Sequence, residues 1–212
     1  MEIRPGKIRA LFLKCLEIKL KNMIHRIFIA INLPKEIKKE LLEIQKRFSG
    51  IPAKWVKPEN LHITLAFLGH IKTELLPEIF KKTENVAKRH KSFSITLTKV
   101  RFEPEKKFPP RMIWVVGESS KELKALEKDL KNSLSKIPIS QLEKETHEFS
   151  LHITLARIKK FEFRKLDLEE IPQVNEDLNL NFEVFSIDVM ESHLKRSGPE
   201  YFCLKSFPLL QN

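Results

Sequence analysis

Two histidines of this chain stand in identical settings, in LHITLAFLGH at 61–70 and LHITLARIKK at 151–160. Only seven histidines occur in 212 residues, so a shared LHITLA string calls for a reason. A strand sends alternate side chains to opposite faces. His62, Thr64 and Ala66 are therefore expected on one face, with Ile63, Leu65 and Phe67 on the other. The second copy repeats this with His152, Thr154 and Ala156 against Ile153 and Leu155. Each strand would anchor one side in a core and present an imidazole beside a hydroxyl on the other. Small alanines next along would leave room above them.

Two such pairs facing one cleft suit phosphate chemistry. Cleaving a phosphodiester with water needs a base for the nucleophile and an acid for the departing oxygen, on opposite sides of phosphorus. Imidazole titrates near neutrality, so one ring can be neutral while its twin is protonated. Each proton transfer typically contributes about 10²–10⁴ in rate. Threonine hydroxyls can hold the non-bridging oxygens through the transition state. No metal or other cofactor is required. Other readings compete: a single strand histidine is most often a satisfied polar residue at a sheet edge, although exact repetition weakens that account. Zinc ligation would call for Cys, Asp or Glu at ligand spacing, which neither motif supplies. No serine or cysteine sits in a nucleophile setting either.

The surrounding elements decide whether the two motifs can meet. RIFIAINL (26–33) reads as a buried central strand. Pro34 opens an amphipathic helix with Ile37, Leu41, Ile44 and Phe48 at helical spacing. A strand at 62–69, a helix over 73–90, and strands at 93–102 and 111–117 follow. Residues 119–137 form a further amphipathic helix, capped by Ser119 or Ser120 with Glu122 in its first turn. After the second HITLA strand comes an acidic stretch, 166–180, read as irregular. FEVFSIDVMESHL and YFCLKSFPL then form a hairpin closed by KRSGPE. The helices are too few for a fully parallel sheet. The expectation is an α+β protein with two pseudo-symmetric lobes, each an antiparallel sheet with helices, around a central cleft.

Composition narrows the class further. The chain carries 39 basic and 28 acidic residues, a formal charge of +11. That raises the local concentration of polyanions, though a thermophile's lysine- and glutamate-rich surface would look similar. No run of about 18 apolar residues marks a membrane span. Two cysteines, Cys15 and Cys203, in no metal or disulfide spacing fit a reducing cytoplasm. Residues 1–22 hold six basic and two acidic residues, with Lys14 and Glu17 breaking the apolar stretch. They read as an amphipathic helix, or as codons over-read before a true start at Met23, leaving 23–212 as the bilobal domain.

The pattern as a whole resembles a known family. Paired H-x-T-x motifs in a chain of about this length are the signature of the 2H phosphoesterase superfamily. Within it, the sequence is similar to the RNA 2′,3′-cyclic 3′-phosphodiesterases, also called 2′-5′ RNA ligase-like proteins. The likeness covers about 24–209 and rests on RIFIAINLP, WVKPENLHITLAFLG, PPRMIWVVG, HITLARIK and VMESHLKRSGPEYFCLKSFPL. It implies the LigT-like bilobal fold and opening of an RNA-terminal 2′,3′-cyclic phosphate to a 2′-phosphate; a monomer is expected, with nothing in the sequence deciding against a dimer. By motif order His62 would be the proton donor and His152 the acceptor that activates water, with Thr64 and Thr154 holding the phosphate. Two alternatives keep the cleft but change the substrate: a small cyclic nucleotide, or a 2′-5′ linkage formed reversibly. A third is a basic RNA- or nucleotide-binding protein without catalysis.

The chain departs from the family in two places, the leader and Leu151, where the family commonly has proline. Losing that proline loosens the strand's entry without removing a chemical group. Arg157 occupies a position where the family usually carries arginine, although strict alternation points it away from His152. Arg111 is a candidate for the RNA path, and Phe28 for core packing or a base platform. Trp55 and Trp114 are read as packing residues, and the other histidines are assigned no role.

Overall fold

The isoleucine-rich segment does run through the middle of a sheet. Strand β1 (Ile24–Asn32) lies between β3 (His62–Lys72) and β8 (Ser186–Lys195), and β9 (Gly198–Pro208) pairs with β8. The order β3-β1-β8-β9 is antiparallel throughout. A second antiparallel sheet has the order β2-β6-β5-β4-β7. Its members are β2 (Ala53–Trp55), β4 (Phe93–Glu103), β5 (Met112–Gly117), β6 (His152–Ile158) and β7 (Asn175–Val184). The computed structural model describes residues 23–139, 149–167, 169, 171–196 and 198–211. The leader, 1–22, lies outside the described residues. None of the described helices is long and apolar enough to cross a membrane.

Each sheet holds one HITLA strand, as the internal echo predicts, but the lobes are not consecutive halves of the chain. The four-stranded sheet takes β1 and β3 from the beginning and β8 and β9 from the end. Helices cross over in the same way. Helix α1 (Lys35–Arg47) leaves β1 yet sits over the second sheet, where Arg47 pairs with Glu176 of β7. Helix α2 (Leu76–Ala87) packs on β8, β9 and α3 (Lys121–Leu134); α3 leaves β5 and also covers β3. Their inner faces (Ile37, Leu41 and Ile44 on α1; Leu123, Leu126 and Leu130 on α3) join one cluster of buried side chains that draws on both sheets. Ser120 caps α3, its hydroxyl accepting from the Leu123 N–H at 3.2 Å. A short α4 (Lys160–Phe163) follows β6.

Two expectations about elements change. The helix read over 73–90 begins as a 3-10 turn at Thr73–Leu75 and is α-helical only over Leu76–Ala87. The acidic stretch read as irregular becomes strand β7 from Asn175 onward, paired with β4. Leu178, Leu180, Phe182 and Val184 alternate there, and period-2 patterning prevails over an acidic composition. Glu176, Asp177 and Glu183 suit an edge strand, where charge discourages pairing with other chains.

The third correction bears directly on the site. Strict alternation fails in both HITLA strands, at the same letter. In β3, Thr64 faces Ala30 but Ala66 already faces Ile29, leaving Leu65 as an extra residue. In β6, Thr154 faces Trp114 and Ala156 faces Ile113, leaving Leu155 extra. Each is a β-bulge, which resets the phase of the strand beyond it. Ala66 and Ala156 therefore turn into the core, at 1% and 0% exposure. Phe67 and Arg157 come round to the face of the histidines. A second bulge in β3, at Leu68, is followed by Gly69 at φ +73°, a conformation glycine adopts without steric cost.

Candidate active site

The face shared by the two motifs borders a cleft of about 810 Å³ between the sheets. His62 and Thr64 line it from one side, His152 and Thr154 from the other. Arg26, Lys54, Lys57 and Arg157 also line it, and among the described residues no aspartate or glutamate does. Its field therefore favours an anion. Among the described residues no three His, Cys, Asp or Glu side chains converge as metal ligands.

His62 is set by the 3-10 turn before it, Pro58–Asn60. Its Nδ1–H donates to the Asn60 carbonyl at 2.6 Å, which fixes the tautomer, and Nε2 lies 3.0 Å from the Thr64 hydroxyl. The Asn60 amide in turn donates to the Pro199 carbonyl at 2.8 Å, tying this turn to the start of β9. Phe28 and the edge of Tyr201 pack on the imidazole, with ring centroids at 5.0 and 5.2 Å. Burial among these rings pushes the His62 pKa down to about 4. The Asn60 carbonyl opposes that shift, and the charges of His152 and Lys38 add to it.

His152 receives the same backbone support and a different neighbour. Its Nδ1–H donates to the Ser150 carbonyl at 2.8 Å. Its ring lies flat on Trp114, with centroids 3.8 Å apart and planes 19° from parallel. Burial lowers this pKa as well, against the Ser150 carbonyl and the Glu103 carboxylate, which favour the charged form. Burial also raises the Tyr201 hydroxyl, and the positive charges of Arg157 and Arg26 partly offset the rise.

The sequence candidates separate in space. His62, Thr64, His152, Thr154 and Arg157 come together at the cleft, and Arg157 does so because of the bulge. Phe28 also borders the cleft, but it is 3% exposed, with its ring committed to His62, Phe67 and Tyr201. Arg111 is exposed, and its neighbour Met112 lines the cleft instead. Its main chain contributes, donating to the Glu103 carbonyl and accepting from the Ile158 N–H, each at 2.8 Å. Trp55 and Trp114, read as packing residues, both border the cleft. Asn60 and Tyr201 are further site residues that sequence reasoning missed. The only signal for Tyr201 was its being the single tyrosine of the chain.

The chain is similar to known proteins in sequence and in fold. The sequence profile of the LigT-like phosphoesterases matches residues 31–114. A Thermotoga maritima protein named RNA 2′,3′-cyclic phosphodiesterase is 33% identical over 182 residues, 83% of this chain and 91% of its own length. The chain belongs to the LigT-like phosphoesterase family. A Methanocaldococcus jannaschii protein of the same name is 30% identical, over 86% of this chain and 99% of its own. Among solved LigT-like folds, one from Thermus thermophilus superposes with a TM-score of 0.76 at 27% identity, over 88% of this chain and 99% of that one. Escherichia coli LigT bound to 3′-AMP shares the fold, with a TM-score of 0.69 at 24% identity, over 89% of this chain and 100% of that one.

Proposed function

We propose that this LigT-like phosphoesterase hydrolyses the 2′,3′-cyclic phosphate at the end of an RNA, leaving a 2′-phosphate. The observation that carries this reading is the pair of H-x-T units facing one cation-lined cleft. The names of the relatives, RNA 2′,3′-cyclic phosphodiesterases, point to the same substrate.

In this mechanism Thr64 and Thr154 donate hydrogen bonds to the non-bridging oxygens. Neutral His152 takes a proton from water through Nε2, and the water oxygen bonds to phosphorus. The bond from phosphorus to O3′ breaks, and protonated His62 delivers its Nε2 proton to that oxygen. Products are a 2′-phosphomonoester and a free 3′-hydroxyl, with one proton moved from His62 to His152 per turnover. Burial holds the His62 pKa near 4, so its imidazole is neutral at pH 7 before substrate binds. An entering phosphate supplies the negative charge that favours its imidazolium. The two carbonyls on Nδ1 keep each ring's Nε2 as the reacting nitrogen.

The test incubates a short RNA ending in a 2′,3′-cyclic phosphate with the protein in EDTA and identifies the product. The 2′-phosphomonoester is expected from the wild type and not from His62→Ala or His152→Ala. RNA that binds yet stays cyclic would mean a binding protein, not an enzyme.

A further inference from the structure

The bulge that brings Arg157 to the cleft has a support from outside the sheet. Gln45, on α1, is 7% exposed. Its side-chain amide donates two hydrogen bonds, to the Val56 carbonyl at 2.9 Å and to the Leu155 carbonyl at 3.0 Å. Leu155 is the bulged residue of β6. Its carbonyl also accepts the Val56 N–H at 2.8 Å, the last rung before β2 and β6 part. Val56 lies between Trp55 and Lys57, and Leu155 lies next to Thr154 and two residues before Arg157. Trp55, Lys57, Thr154 and Arg157 all line the cleft. One buried amide thus holds two cleft-lining segments at the point where the sheet stops holding them.

We propose that Gln45 is a positioning residue for the second motif, fixing the Leu155 bulge so that Thr154 and Arg157 address the same phosphate. The inference rests on the phosphoesterase reading and deepens it. Gln45 touches no substrate; it acts through the β6 backbone. A bulge carries an unpaired residue and a local break in the ladder, so its geometry depends on what else bonds to it. Without the amide, the Leu155 carbonyl keeps the Val56 N–H but loses the second donor, and the Val56 carbonyl loses the Gln45 donor. The strand can then relax toward regular alternation, which turns Arg157 away from the cleft. A displacement of about 1 Å at a catalytic constellation can cost on the order of 100-fold.

The test uses the full chain and three variants. Gln45→Met keeps the length of the side chain and removes its donors; Gln45→Asn keeps the amide and withdraws it by one methylene. Thr83→Val is the control: it deletes another buried hydrogen-bonding group, the hydroxyl that donates to the Ile79 carbonyl within α2. All are compared at a temperature where thermal melts show them folded. Titration with inorganic phosphate reports the grip of the motif without any turnover, and cyclic-phosphate RNA reports kcat/KM. Gln45→Met is expected to lose about 10- to 100-fold in kcat/KM, with a parallel loss of phosphate affinity, while Thr83→Val keeps both. A folded Gln45→Met with wild-type phosphate affinity and kcat/KM overturns the proposal. Should that variant not fold, Gln45→Asn decides by the same two readouts. If the wild type leaves the RNA cyclic, the proposed reaction fails, whereas the phosphate titration still judges Gln45.

Discussion

The two HITLA strands share a backbone device and differ in nearly everything around it. Both bulge at the leucine after the threonine, and both give Nδ1 of the histidine a carbonyl two residues upstream. Yet β3 is an edge strand, whereas β6 is flanked by β2 and β5. His62 is packed between Phe28 and Tyr201; His152 lies on Trp114. Past the bulge, one strand offers Phe67 and the other Arg157. The repeated letters place two like imidazoles, and the unrepeated neighbours give them unlike surroundings. Acid and base roles are commonly assigned by environment in this way.

The harshest way to break the comparison is to remove either imidazole. His62→Ala and His152→Ala should each lower kcat by about 10²–10⁴. RNA affinity should change little, and the double variant should be scarcely worse than either single one. Parallel kinetics and binding isotherms check this.

Acid stability separates the twins next. A histidine whose pKa drops on folding contributes stability that is complete above its unfolded value, about 6.5. That contribution is lost as pH falls from there toward the folded value, about 4 for His62. The sign follows because the unfolded chain binds the extra proton throughout that window. The loss amounts to at most about 3 kcal/mol for His62. Melting temperatures between pH 7 and 4 should fall less steeply in His62→Ala than in the wild type.

The residues beyond the bulges sharpen the contrast. Arg157→Ala should weaken inorganic phosphate binding by about 10-fold or more, the worth of a hydrogen bond to a charged group. Phe67→Ala should leave phosphate binding near wild type. A similar loss from both would mean that the two strands do not divide the work. Smallest is the effect of Tyr201→Leu. Removing the ring edge hydrates His62 and raises its pKa from about 4, visible in an NMR titration, at a cost in rate of no more than about threefold, within the range of an aromatic contact.

Much of this was legible in the residues. The echo of HITLA located both histidines and both threonines, and hydrophobic periodicity located most strands and helices. The bulges were not legible, because register arises from pairing: Leu65 becomes extra only once β3 lies against β1, and Leu155 only against β5. Correct alternation rules therefore placed Ala66 and Ala156 on the wrong face. Trp114, read as a packing residue, and Tyr201, missed altogether, each meet a histidine through a fold contact that no spacing encodes, and the tie of the Asn60 side chain to Pro199 exists only once β9 is in place. Strand β7 did carry a signal, its alternating Leu178, Leu180, Phe182 and Val184, but acidic neighbours obscured it.

The interleaving of the two sheets sets a timetable for the cleft. A growing chain that has emerged through residue 158 already contains both motifs and the helices that cover them. It still lacks β8, which pairs with the second edge of β1, and β9, which brings Tyr201 to His62 and Pro199 to Asn60. Until those last strands arrive, β1 presents an open edge of unpaired backbone. The nascent protein thus carries every group of its proposed chemistry well before it has a place to perform it.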